Sequence, residues 1–243
     1  MIWLIVGIVG GAIVAALLFL LISSLLVSTK RYYTEDSRFY RGLVNVLTAI
    51  ILTLGRVKLH VSGREKLPKG KKLLFVGNHL SNFDPMVTYY AFRPWRISYI
   101  AKASIFNMPI FGRYIRRCCF MDIDRENPRN AIMTINQAAQ LLKDNEVSIG
   151  VYPEGTRSKT GELLPFHNGV FKIAQKADAD MAVVSLFATE MVAKNFPLRR
   201  THVYVDVLEV IPAAELDHKK TDIIGQRVRD LLNEHSRKRE GSK

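Results

Sequence analysis

The sequence is poor in cysteine throughout and, at one end, devoid of charge. Its only two cysteines, Cys118 and Cys119, are adjacent, and neighbouring cysteines do not meet disulfide geometry without distorting the backbone. A disulfide-stapled scaffold is thereby excluded, and a zinc site lacks its second ligand pair. The pair instead reads as two small buried residues on a strand, in a reduced compartment. No charged residue occurs from Met1 to Val27, which rules out a water-exposed surface for that segment. The G-x-S-x-G elbow is missing as well, so a serine nucleophile of the hydrolase kind has no support. There is no internal repeat and no low-complexity linker, which leaves one folded domain beyond the first segment.

The uncharged run WLIVGIVGGAIVAALLFLLISSLLV is long enough as a helix to cross a hydrocarbon core of about 30 Å. It lacks a basic leader and exceeds the usual signal-peptide core, so a retained anchor is expected rather than a cleaved signal. Lys30, Arg31, Arg38 and Arg41 follow it, and the positive-inside bias places the rest of the chain on the cytoplasmic side of the cell membrane. The net charge of +13, from 35 Lys and Arg against 22 Asp and Glu, suits an anionic leaflet and anionic substrates. Nucleic acid is not expected as a partner. The basic residues, among them Lys69, Lys71, Lys72, Arg113, Arg116, Arg117, Arg199 and Arg200, are scattered rather than gathered on a recognition helix.

A second apolar stretch, Leu43 to Leu54, is too short to span a bilayer and is expected as a packed or interfacial helix. Gly63 to Lys72 is a turn-rich basic lead-in. Beyond it, strands are predicted at Leu73–Val76, Ile97–Ala101, Cys119–Ile123, Val147–Tyr152, Ala182–Ala188 and His202–Val210. Between them Ile132, Ile135, Ala139 and Leu142 repeat at helical spacing over Pro128–Lys143, and a further helix is predicted over Thr221–Glu234. The expected class is α/β, a mixed sheet flanked by helices with an N-terminal membrane helix or helical hairpin. The expected division is an anchor helix over 1–28, an interfacial helical segment over 29–60 and the α/β domain over 61–243.

Two stretches carry chemistry. In Gly77-Asn78-His79-Leu80-Ser81-Asn82-Phe83-Asp84-Pro85 the aspartate can hold one ring nitrogen of His79 while the other accepts a proton, the arrangement of a general base. In isolation a satisfied histidine beside a capping aspartate accounts for that spacing better, and context has to overturn it. His60, His167, His202, His218 and His235 have no comparable carboxylate at short range and are expected to be structural or exposed. In Val151-Tyr152-Pro153-Glu154-Gly155-Thr156-Arg157-Ser158, Pro153 and Gly155 bend the chain. Glu154, Thr156 and Arg157 there supply an acceptor, a hydroxyl and a planar cation suited to phosphate.

NHLSNFDP and YPEGTRS, in this order, resemble the H-x4-D and P-E-G-T-R blocks of the glycerolipid acyltransferase family, specifically its 1-acyl-glycerol-3-phosphate acyltransferase branch. FMDIDREN, with Arg125, is similar to the family's F-I-D-R block, and AKASIFNMPIFGRY places Lys102 at its basic position. The resemblance implies His79 as base, oriented by Asp84, and a substrate-binding set of Asn78, Lys102, Arg125, Glu154, Gly155, Thr156 and Arg157, with the three cations on the acceptor's phosphate. It implies lysophosphatidic acid as acceptor and acyl-CoA or acyl-carrier protein as co-substrate. It also implies an N-terminal helical element that settles into one leaflet of the membrane, which the net charge suggests is anionic. The sequence gives no sign of a metal site or a resident cofactor. Acylation of glycerol-3-phosphate or another lysophospholipid, thioester hydrolysis and non-catalytic lipid binding are the rival readings. The chain departs from the family pattern at Cys119, where glycine is frequent, and at Val183, where proline is usual.

Overall fold

The computed structural model describes residues 1–123 and 127–240. The uncharged run forms helix α1, Ile2–Leu25, whose apolar window has a mean hydropathy of 2.9 and no buried residue. Among the described residues, only its last two turns, from Phe19 on, dock on the rest of the protein. Ser23 Oγ lies 2.6 Å from the Tyr114 hydroxyl, Tyr40 donates to the Ser23 carbonyl (2.9 Å), and Arg113 reaches the carbonyls of Ser24 and Val27, each at 3.3 Å.

Helix α2, Arg38–Leu54, begins before the expected Leu43. Its first turn looks polar because Arg41 points inward. The guanidinium pairs with Asp36 at 2.6 Å and donates to the carbonyls of Ile97 and Cys118, both at 3.0 Å, so the buried charge is matched. Strand β1, Val57–Ser62, was not predicted, and it crosses the boundary expected at residue 61. Its alternation V-K-L-H-V is that of a half-exposed edge strand, short enough to be missed. What secures it is parallel pairing with a segment far along the chain, from Val57 with Thr201 to Ser62 with Asp206.

The predicted alternation then appears: β2 Leu74–Gly77, α3 Asp84–Ala91 and β3 Ile97–Lys102. Two short helices, α4 Ala103–Phe106 and α5 Phe111–Arg116, lead to β4 Met121–Ile123. Helix α6, Pro128–Lys143, has the predicted bounds; Asn127 caps it by accepting the amides of Arg129 and Asn130, and proline opens it. There follow β5 Ser148–Val151, α7 Lys172–Ala177, β6 Met181–Phe187, α8 Met191–Asn195, β7 Thr201–Ile211, α9 Ala213–Leu216 and α10 Thr221–Glu240.

The seven strands form one mixed sheet in the order β1-β7-β6-β2-β5-β3-β4, with β6 and β7 antiparallel and the other neighbours parallel. Both faces are covered. Phe75, Ala182, Val184, Val203 and Val205 face α2, α3 and α5, whereas Leu74, Val76, Ile149, Met181 and Val183 face α6, α7 and α10. Alternate residues of β2 and β6 thus serve two cores, which is why these strands read as continuous apolar runs.

Cys118 and Cys119 are buried, as expected, but they lie in the turn after α5 rather than on a strand. Cys119 has a φ of +58°, a left-handed conformation that glycine adopts without penalty.

Candidate active site

Strands β6, β2, β5, β3 and β4 run parallel, so their C-terminal ends, where ligands bind in open α/β sheets, share one edge. The chain leaves β2 into Asn78 and His79, leaves β5 into Tyr152 to Arg157, leaves β6 into Thr189 and ends β3 on Lys102. The two sequence blocks emerge side by side because β2 and β5 are neighbours.

Asp84 opens α3 and is fully buried, whereas 17% of the His79 side chain remains open. Asp84 Oδ2 accepts His79 Nδ1–H at 2.7 Å together with the amides of Leu80 (2.6 Å) and Ser81 (2.7 Å). Its Oδ1 accepts the hydroxyl of Thr189. A carboxylate can only accept, so the proton on the facing ring nitrogen belongs to His79, and the lone pair of neutral imidazole is left on Nε2. Among the described residues no hydrogen bond to Nε2 is formed.

The second block fixes the histidine from its backbone outward. Glu154 Oε1 accepts the His79 amide at 2.7 Å and Oε2 accepts the Leu164 amide at 2.9 Å, while Ser158 donates its amide to the His79 carbonyl at 2.8 Å. Gly155, at a φ of +67°, permits the tight turn between them. Burial pushes the Glu154 carboxyl above its usual pKa, against the two amides and the nearby imidazole, which favour its charge. The Tyr152 ring stacks on the imidazole with centroids 4.5 Å apart and planes 13° from parallel. Beneath it, Thr88 joins the Asp84 carbonyl (2.8 Å), the Tyr99 hydroxyl and the Tyr152 hydroxyl (3.2 Å). Burial raises both phenols, so they remain protonated donors. Tyr99 finds room because β5 carries Gly150, where a Cβ would stand 2.3 Å from the Tyr99 ring.

Asn78 and Glu154 are therefore occupied with the protein's own backbone. The Asn78 amide both donates to and accepts from Leu186 of β6, at 2.9 and 2.8 Å. Thr156, Arg157 and Lys102 are exposed at the same edge, whereas Arg125 lies outside the described residues. Cys118 and Cys119 sit towards the opposite edge, where the Cys118 carbonyl accepts from Ser98 near the start of β3. Burial holds both thiols up at about 12.

A family model described as Acyltransferase matches residues 58–188, a stretch that contains the groups just placed around His79 except Thr189, which follows it directly. The chain belongs to the acyltransferase family. Its relatives include proteins named 1-acyl-sn-glycerol-3-phosphate acyltransferase. That of Borreliella burgdorferi is 28% identical over 75% of this chain and 73% of its own. That of Saccharomyces cerevisiae is 32% identical over 74% and 60%, and that of Bacillus subtilis 26% over 80% and 97%. The chain thus spans under two thirds of the yeast protein's length. The crystal structure of the 1-acyl-sn-glycerophosphate acyltransferase from Thermotoga maritima superposes with a TM-score of 0.66, at 22% identity, over 90% of this chain and 87% of that one. Its fold is the same.

Within this acyltransferase site, sequence reasoning missed Thr189, Thr88, Tyr99 and any role for Tyr152. Thr88 carried a signal, since it lies one helical turn after Asp84. Thr189 carried none, being 105 residues from the carboxylate it binds.

Proposed function

We propose that this acyltransferase moves a fatty acyl group from acyl-CoA or acyl-carrier protein to the sn-2 hydroxyl of 1-acyl-glycerol-3-phosphate, making phosphatidic acid. The observation that carries the reading is the His79–Asp84 pair, with Nδ1 held at 2.7 Å and Nε2 left open. His79 Nε2 takes the hydroxyl proton as the oxygen attacks the thioester carbonyl. The tetrahedral intermediate collapses with loss of the carrier thiolate, which recovers the proton from the imidazolium. No acyl-enzyme is needed. Among the described residues, no serine or cysteine side chain is hydrogen-bonded to Nε2, so nothing is poised as a nucleophile in the triad manner.

Exposed Arg157 and Lys102 at this edge support a clamp on the acceptor's phosphate, and Arg125 is proposed as its third member. Helix α1, apolar and buried only at Ser23 and Ser24, is proposed to anchor the enzyme in the cell membrane with the catalytic domain on the cytoplasmic side. The relatives' names support the lysophosphatidic acid acceptor over glycerol-3-phosphate.

The test is product formation by purified protein in liposomes given oleoyl-CoA or acyl-carrier protein thioester and lysophosphatidic acid, with His79→Ala alongside. Phosphatidic acid from the parent and a loss of several orders of magnitude in the variant are expected. Near-normal turnover by folded His79→Ala would overturn the mechanism, and a folded parent inactive with both donors would overturn the reaction.

A further inference from the structure

We propose that the loop Phe196–Arg200, between α8 and β7, is a second contact with an anionic lipid bilayer, separate from α1. The proposal rests on the membrane association of α1 advanced above.

The loop displays apolar groups that a water-facing loop has no reason to carry. Leu198 is 81% exposed, more than any other large apolar side chain described outside the N-terminal segment, and Phe196 is 55% exposed. This display is built rather than loose. Arg56 donates to the Leu198 carbonyl at 3.1 Å, Arg199 donates its amide to Asn195 at 2.8 Å, Asn195 donates to the Thr201 hydroxyl at 2.9 Å, and Thr201 donates its amide to Arg56 at 3.2 Å. These four bonds fix the backbone while both apolar tips remain outside the core.

Charge chooses the occupant. Lys194, Arg199, Arg200 and Arg56 are exposed around the tips, and no Asp or Glu occurs from Met191 to Val205. Apolar tips ringed by cations suit an interface where acyl chains lie beneath anionic headgroups. Position adds a functional reason. β7 runs antiparallel to β6, so the loop that opens β7 lies at the sheet edge where β6 ends, just before Thr189. Seating it on a bilayer turns the His79 edge towards the membrane from which a lipid acceptor must come.

The test places single cysteines in the full chain at Leu198, at Leu17 on α1 and at Lys69, ahead of β2 at the opposite sheet edge. Cys118 and Cys119 are buried with thiols raised to about 12, so an environment-sensitive fluorophore labels the introduced site. The labelled proteins are reconstituted in phosphatidylcholine vesicles with or without phosphatidylglycerol, carrying lipids spin-labelled near the headgroup. Loss of fluorescence is expected at Leu17→Cys and Leu198→Cys but not at Lys69→Cys. At position 198 the loss should shrink without phosphatidylglycerol, or when Arg199→Glu and Arg200→Glu are added. Quenching at 17 with none at 198, the result also expected if the loop serves a protein partner, would overturn the proposal and leave the anchor standing. Quenching at neither would overturn membrane association itself.

Discussion

Thr189 donates its hydroxyl to Oδ1 of Asp84 across 105 residues of chain, and so holds the carboxylate oxygen that His79 does not touch. With three donors on Oδ2, the plane of the carboxylate, and through it the tilt of the imidazole, is set from every side. Thr189→Val removes one donor without changing shape. It should lower kcat by about tenfold, the effect of one hydrogen bond to a charged group, with KM for the thioester little changed. Thr189→Ser should restore most of the rate. Steady-state kinetics on the three proteins checks this.

Asp84→Asn keeps the size of the group but places an amide N–H₂ among donors that need an acceptor, and it ceases to select the Nδ1–H tautomer. A loss of about 10³ to 10⁴ in kcat is expected, the scale seen when the acid of a His–Asp pair is neutralised. Circular dichroism of the variant separates this from unfolding.

Glu154→Gln tests the joint between the two sequence blocks. Both carboxylate oxygens accept backbone amides, from His79 and Leu164, and a carboxamide offers only one oxygen. One amide is left without its partner, at a cost of about 1–3 kcal/mol. A lower unfolding midpoint together with a reduced kcat is expected, because the strained amide is that of the base itself or its neighbouring loop.

Lys72 bears on stability away from chemistry. Partial burial, and then the charges of Arg96 and Arg41, lower its pKa from 10.5 to about 8. Folding lowers this pKa, so between pH 8 and 10.5 the unfolded chain holds the proton more tightly, and stability rises with pH across that window. Lys72→Met should stabilise the protein at neutral pH by less than about 1 kcal/mol, since the ammonium is partly open and screened. The advantage should fade as pH rises through the window. Denaturant midpoints in detergent at neutral and alkaline pH measure both.

The elements that were legible are those whose pattern is local. Helix α6 was read at its observed bounds because the apolar stripe of Ile132, Ile135, Ala139 and Leu142 lies within one stretch that opens on Pro128. The six other strands were found from their β-branched and aromatic residues, each within a few residues of its observed ends. Edge strand β1 was not. Its signal is brief alternation, and its stability comes from pairing with β7 well over a hundred residues later. Likewise the buried ion pair of Arg41 with Asp36 disguised the start of α2 as a polar linker.

The sequence alone determined that His79 and Asp84 lie within reach of each other and that an uncharged helix precedes the α/β domain. It also determined that the second block turns sharply at Gly155. Each of these is a matter of spacing, charge or backbone freedom within a few residues. Only the tertiary structure decided that Glu154 and Asn78 bind the protein's own backbone, and that Tyr152 lies beneath the imidazole. It likewise decided that Thr189 completes the shell of Asp84. Those contacts join the ends of strands that become neighbours through sheet order, and sheet order is settled by the burial of both faces of the whole domain, not by any one segment.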